Sequence, residues 1–259
     1  ISGSGLSNLS VRTTLRAGEA LTLGAVVSGG SKHVLIRAAG PALSAFGLNG
    51  MADPKLELFT RGSTTPTATN DDWPGSLAST FASVGAFAFT PGSKDAALGQ
   101  VLTGDFTVQA SGTGAGVILV EAYDTAGGTS ARLVNLSARN RVGTGDDILI
   151  AGFTLVGAGS KQVLIRAVGP TLTIFGVSGA LADPTLRVID AAGVTIASND
   201  NWAATLAPTF AQIGAFPLTP ASRDAALLVT LPAGSTYTIQ VSGVSNTTGE
   251  ALVEVYEVF

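Results

Sequence analysis

The chain has 259 residues, enough for two domains, and carries a formal net charge of −4 with only 12% charged residues. That balance argues against a nucleic-acid partner, which selects basic patches, and the apolar runs are too short for membrane insertion as a helix. With no cysteine there is no disulfide framework and no thiol chemistry, and so sparsely charged a surface is expected to lie partly against neighbours.

Taken in order, short β-branched runs predict strands at 6–14, 20–27, 33–38, 55–60, 67–69, 96–102, 106–111 and 117–123. Between the fifth and sixth, Leu77, Phe81 and Val84 fall at i, i+4 and i+7, the spacing of a short helix with one apolar face. Residues 125–131 are small and flexible and read as a linker. The second half then repeats the first, with strands at 133–139, 148–155, 162–167, 185–190, 195–198, 225–231, 237–242 and 251–258, and a helix carrying Leu206, Phe210 and Ile213. Within 236–241, Tyr237, Ile239 and Val241 alternate with threonines and Gln240, the period of a half-buried antiparallel strand. The expected fold is all-β: two tandem antiparallel β-sandwich domains of jelly-roll type, each with one short helix, over residues 1–126 and 127–259.

The duplication is visible residue by residue. KHVLIRAAGP from Lys32 returns as KQVLIRAVGP from Lys161. Ala52-Asp53-Pro54 returns as Ala182-Asp183-Pro184, and Asp95-Ala96-Ala97-Leu98 as Asp224-Ala225-Ala226-Leu227. A residue found in one copy alone is a poor candidate for a shared role. His33, whose counterpart is Gln162, fails that test; so does Ser178, in a sequence like a serine elbow that lacks its last glycine, because Asn49 stands opposite. Gly112–Gly116 lies between two strands and reads as a hairpin turn, not a phosphate loop.

Two constellations pass the test. Asp53, Asn70, Asp71 and Asp72, answered by Asp183, Asn199, Asp200 and Asn201, could offer the oxygen ligands of a calcium ion, or could form a capped turn in which Asn and Asp bond their own backbone. Trp73 and Trp202 adjoin them, as core anchors or as platforms for a sugar ring. Arg37 and Arg166 lie inside apolar strands, and Glu121 and Glu254 inside others; the expectation is an internal Arg–Glu pair in each copy that fixes strand register.

The second half of each copy, clearest in ADPTLRVIDAAGVTIASNDNW, DAALLVTLPAGSTYTIQVSG and GEALVEVYEV, resembles the bacterial pre-peptidase C-terminal (PPC) type of β-sandwich. The whole unit is also similar to tandem repeats of large secreted bacterial surface proteins. The resemblance covers 182–258 and, more weakly, 52–124, where Leu102-Thr103-Gly104-Asp105-Phe106 departs from the family's Leu-Pro-Ala-Gly-x-Tyr turn. It implies a secreted, non-catalytic module that binds, spaces or attaches, in some relatives with calcium. Ile1 in place of a starting Met reads as a processed chain or a fragment. The expected function is an extracellular structural or adhesive protein of the bacterial cell surface. It would self-associate end to end through its terminal strands, the leading strand at 4–12 joining a neighbouring subunit. The alternative is an accessory module of a secreted hydrolase that holds polysaccharide or protein substrate.

Overall fold

The computed structural model describes residues 4–126 and 131–259, so most of the expected linker lies outside the described residues. In the first repeat the strands are β1 (Gly5–Leu15), β2 (Leu21–Ala39), β3 (Pro54–Thr60), β4 (Ala68–Asn70), β5 (Ala96–Gly112) and β6 (Gly116–Asp124), with helix α1 at Ala78–Ser83. In the second they are β7 (Arg132–Val142), β8 (Leu149–Val156), β9 (Ser160–Val168), β10 (Pro184–Ile189), β11 (Thr195–Asn199), β12 (Ala225–Pro232), β13 (Ser235–Gly243) and β14 (Gly249–Glu257), with helix α2 at Ala207–Gln212.

The second repeat shows the jelly-roll sandwich plainly. One sheet runs β7–β14–β9–β12 and the other β8–β13–β10–β11, every pair antiparallel. The first repeat uses fewer, longer strands for the same two sheets. β2 and β5 pair along nearly their whole length, from Leu21↔Ala110 to Ala38↔Ala96. The last residues of β2 then pair with β6, which pairs with β1, whereas the last residues of β5 pair with β3, which pairs with β4. The expected breaks at 28–32 and 103–105 are therefore not strand ends. A bulge between Val27 and Ser31, with Gly29 and Gly30 at positive φ, turns β2 from one sheet into the other without interrupting it.

Alternate side chains fill the sandwich in strands such as β13, where Tyr237, Ile239 and Val241 are buried and their neighbours are not, whereas the ends of β9 and β2 are buried on both faces. Each short helix seals one edge with a single phenylalanine, Phe81 or Phe210, both buried. Among the described residues no helix is long and apolar enough to cross a membrane.

Repeat boundaries in sequence and compact units in space do not coincide. One unit is Ser7–Val134; the other is Asn135–Phe259 together with the leading residues up to Leu6. β1 starts in the unit of the second repeat and continues in that of the first, and β7 does the reverse. Each sandwich is thus completed by the first residues of the other repeat's leading strand. The strand expected to be free at 4–12 is engaged: Asn8 to Leu15 pair with β6 from Tyr123 to Gly116.

Candidate functional site

Polar groups common to both repeats gather in three places, and a lysine–carboxylate pair recurs beside them. The first is the expected Arg–Glu pair. Arg37 on β2 stands directly across from Glu121 on β6, and Arg166 on β9 across from Glu254 on β14. Both arginines are 0% exposed and both glutamates 4%. Arg37 donates from Nε to Glu121 Oε2 (3.0 Å) and from Nη1 to the Phe87 carbonyl (2.6 Å), and its Nη2 lies 2.8 Å from Glu121 Oε2 as an ion pair outside hydrogen-bonding geometry. Arg166 donates from both Nε and Nη2 to Glu254 Oε2 (2.8 and 2.5 Å) and from Nη1 to the Phe216 carbonyl (2.6 Å). The other carboxylate oxygen accepts a tyrosine hydroxyl, Tyr123 at 2.6 Å or Tyr256 at 2.7 Å. Burial, and then the neighbouring carboxylate, hold both phenols well above the ordinary tyrosine range, so they stay protonated as donors.

Aromatic rings close the cation from the remaining sides. The guanidinium carbon of Arg37 lies 4.5, 4.5 and 4.2 Å from the centres of Phe81, Phe87 and Phe89. Arg166 has Phe210 at 5.0 Å, Phe216 at 4.3 Å and Tyr256 at 5.7 Å; where Phe89 stands in the first repeat, the second has Leu218. Both oxygens of each carboxylate thus accept a hydrogen bond, one from the arginine and one from the tyrosine, and the pair serves to join neighbouring strands.

The second place is a buried aspartate that the sequence argument passed over. Asp95 and Asp224 are 0% exposed. Asp95 Oδ1 accepts the Gly40 N–H (2.7 Å) and the Ala42 N–H (3.1 Å), and Ser93 Oγ donates to Oδ2 (2.6 Å). Asp224 holds Gly169 (2.7 Å) and Thr171 (3.3 Å) in the same way, and both the Thr171 hydroxyl and Ser222 Oγ (2.5 Å) donate to its Oδ2. The recurring Gly-Pro and Asp-Ala-Ala-Leu elements are therefore two halves of one device. The aspartate ties down the turn at Pro41–Phe46 or Pro170–Phe175. The glycine is required by close approach: a Cβ at Gly40 would lie 2.2 Å from the Met51 carbonyl oxygen, and one at Gly169 2.1 Å from that of Leu181. Recurrence of Asp in DAAL, next to an apolar run, was the available signal.

The third place is the acidic corner. Asn70 donates from Nδ2 to the Asp72 carbonyl (2.8 Å) and accepts the Ala97 N–H on Oδ1 (2.8 Å); Asn199 does the same with Asn201 (2.9 Å) and Ala226 (3.0 Å). These side chains serve the backbone of the turn. The acids around them have a cation of their own. Asp72 meets Lys94 at 3.0 Å, and Asp183 meets Arg223 at 2.6 Å. Asp72, with the charges of Asp53 and Asp71 behind it, raises the Lys94 pKa. Asp200 and Asn201 are exposed. Among the described residues no group of three or more His, Cys, Asp or Glu side chains is placed to hold a metal ion.

Trp73 and Trp202 are half-buried. Trp73 packs on Phe81 and Phe89, with centres at 5.3 and 5.8 Å, and donates to the Thr90 carbonyl (3.3 Å). Trp202 packs on Phe210 at 5.6 Å and donates to Ser222 Oγ (3.1 Å). Both backbone N–H groups bond the carbonyl of the buried aspartate, at 2.8 Å. The tryptophans therefore join the acidic corner to the aspartate and to the aromatic cage.

A buried lysine was also missed. Lys32, 2% exposed, places Nζ 2.7 Å from Asp124 and donates to the carbonyls of Ala126 (2.5 Å) and Ala131 (2.9 Å). Its counterpart Lys161 lies 3.2 Å from Glu257 and 4.1 Å from the Phe259 ring. A shallow cleft of about 180 Å³ beside Arg61 and Asp105 has no counterpart arginine in the second repeat.

No family model and no curated protein matches the chain. Among solved structures, the major capsid protein P2 from bacteriophage PM2 aligns over 96% of this chain and 98% of its own at 10% identity, with a TM-score of 0.23. Procruciferin, an 11S globulin from Brassica napus, aligns over 96% of this chain and 76% of its own at 5% identity, also with a TM-score of 0.23. At those scores neither adds to what the strand pairings already define.

Proposed function

We propose that the chain is a non-catalytic structural or adhesive protein of the extracellular bacterial surface, built from tandem sandwiches and assembling end to end. The observation that carries this reading is where the duplicated polar groups go. Arg37–Glu121–Tyr123, Asp95 with its turn, and the Asn70–Trp73 corner, with their second-repeat counterparts, are spent on holding backbone and packing aromatic rings. Duplication has kept a scaffold. What both repeats display in common is apolar: Phe46 is 58% exposed and Phe175 57%, each at the end of the turn its aspartate holds. With 12% charged residues, such a surface gains by being covered. The inward packing of Trp73 and Trp202 favours a structural role over a sugar platform. The resemblance to secreted bacterial repeats supports the location. The test is light scattering across a concentration series, paired with negative-stain electron microscopy. Concentration-dependent oligomers or filaments are expected; monomers at the highest concentration, without filaments, would overturn the reading.

A further inference from the structure

The unit formed by the second repeat contains a seat for an extended chain segment, filled by residues 4–6. Its polar anchor is Glu257, 1% exposed, whose Oε1 accepts the Leu6 N–H at 2.7 Å. Lys161, 3.2 Å from Oε2, stabilises that charge. Leu6 is 2% exposed and supplies the apolar contact. Ser4 Oγ donates to the Ser160 carbonyl at 3.3 Å. Gly5 sits so close that a Cβ there would lie 2.8 Å from Glu257 Oε1. The unit of the first repeat has the matching seat at Lys32 and Asp124, filled by the residues that open β7, with Ala131 3% exposed and Leu133 0% exposed. The seat is thus used twice with different occupants, Gly5-Leu6 and Arg132-Leu133, and accepts a short extended segment carrying one buried leucine.

We infer that the seat at Lys161 and Glu257 is a chain-to-chain joint whose ligand is the leading segment of a second copy of this protein. The occupant on view is that same segment, so a copy from a neighbouring molecule makes the same contacts. Residues up to Leu6 belong to the second-repeat unit, whereas Asn8 to Leu15 pair with β6 of the first. Residues 4–6 can therefore leave one molecule's second unit and enter another's while Asn8 to Leu15 stay paired with β6. Such an exchange puts the segment of one molecule in the seat of the next, and it yields a closed dimer when reciprocal or a chain of molecules when it is passed on. This rests on the assembly proposed above and supplies its joint. Intramolecular seating has the advantage of high effective concentration, so exchange needs concentrated protein and a brief opening of the segment.

The chain lacks cysteine, so the joint can be locked cleanly. In the full-length double variant Ser4→Cys/Ser160→Cys, a disulfide fixes the segment in its own molecule. Wild type and variant are concentrated, warmed to the onset of melting, cooled, and sized by chromatography with light scattering; mass spectrometry verifies the disulfide. The oxidised variant is expected to stay monomeric, its assembled fraction at least about tenfold below wild type, and dithiothreitol is expected to restore assembly. Leu6→Asp, which spoils the segment in either location, is expected to abolish assembly whatever the redox state. If the oxidised variant assembles like wild type, the joint is wrong and assembly uses another surface. If wild type does not assemble under any of these conditions, both the joint and the assembly fall.

Discussion

Removing Arg37 tests most directly how the sandwich is held. The side chain is 0% exposed, donates two hydrogen bonds of 2.6 and 3.0 Å, has Nη2 2.8 Å from Glu121, and is faced by three phenylalanine rings. Arg37→Met keeps apolar volume but takes the cation away from the buried Glu121 carboxylate, which retains the Tyr123 hydroxyl. Breaking a buried pair from one side costs about 3–5 kcal/mol. Glu121→Met strands the guanidinium among the rings and costs a similar amount. The double variant buries no charge, so its loss should fall below the sum of the single losses by at least about 2 kcal/mol. The assay is urea unfolding followed by tryptophan fluorescence. The first-repeat unit contains Trp73 and the other Trp202, so a Trp202→Phe background makes the signal report on the unit under study. Additivity within about 0.5 kcal/mol would refute the claim that the two charges hold each other.

Further outcomes follow from the same geometry. Tyr123 and Tyr256 have raised pKa values in the folded protein, so their contribution is intact below the unfolded tyrosine value of about 10 and is lost as pH rises above it, where the unfolded chain alone gives up the proton; Tyr123→Phe/Tyr256→Phe should flatten the fall of melting temperature above that pH, and an unchanged slope would contradict this. Gly169→Ala should destabilise its unit by about 1–3 kcal/mol through the approach to the Leu181 carbonyl, whereas Gly179→Ala, at an exposed position with open space around it, should lack that steric cost and pay only for its positive φ; equal melting curves would show that the turn yields. Asn70→Asp removes the donor to the Asp72 carbonyl and adds a charge beside Asp71, costing about 1–2 kcal/mol, and millimolar calcium should not restore the loss; rescue by calcium would revive the cation-site alternative at this corner.

Strand positions were legible because alternation and β-branching act locally, and the structure moves most of them by only a residue or two. The longer β2 and β5 escaped because Gly29, Gly30 and Gly104 look like turn residues, yet at positive φ they serve to bend a continuing strand. The Arg–Glu pair was legible because a charge inside an apolar strand must find an opposite charge. Lys94 and Arg223, which neutralise the acidic corner, were not, since nothing local links them to Asp72 and Asp183. The exchanged strand starts were hidden for a different reason. Leu6 and Leu133 occupy equivalent places in the two repeats, so the sequence cannot say which sandwich each one enters.

The crossing of the leading strands also constrains how a gene for this protein can change length. Recombination between the KHVLIRAAGP and KQVLIRAVGP stretches would delete one repeat and leave one sandwich carrying both a leading segment and a seat. In the present protein no repeat fills its own seat: each unit takes its opening residues from the other repeat. A single-repeat product would carry a leading segment whose seat, in the present protein, lies in the other unit, so it is expected to complete its sandwich with the segment of a second molecule.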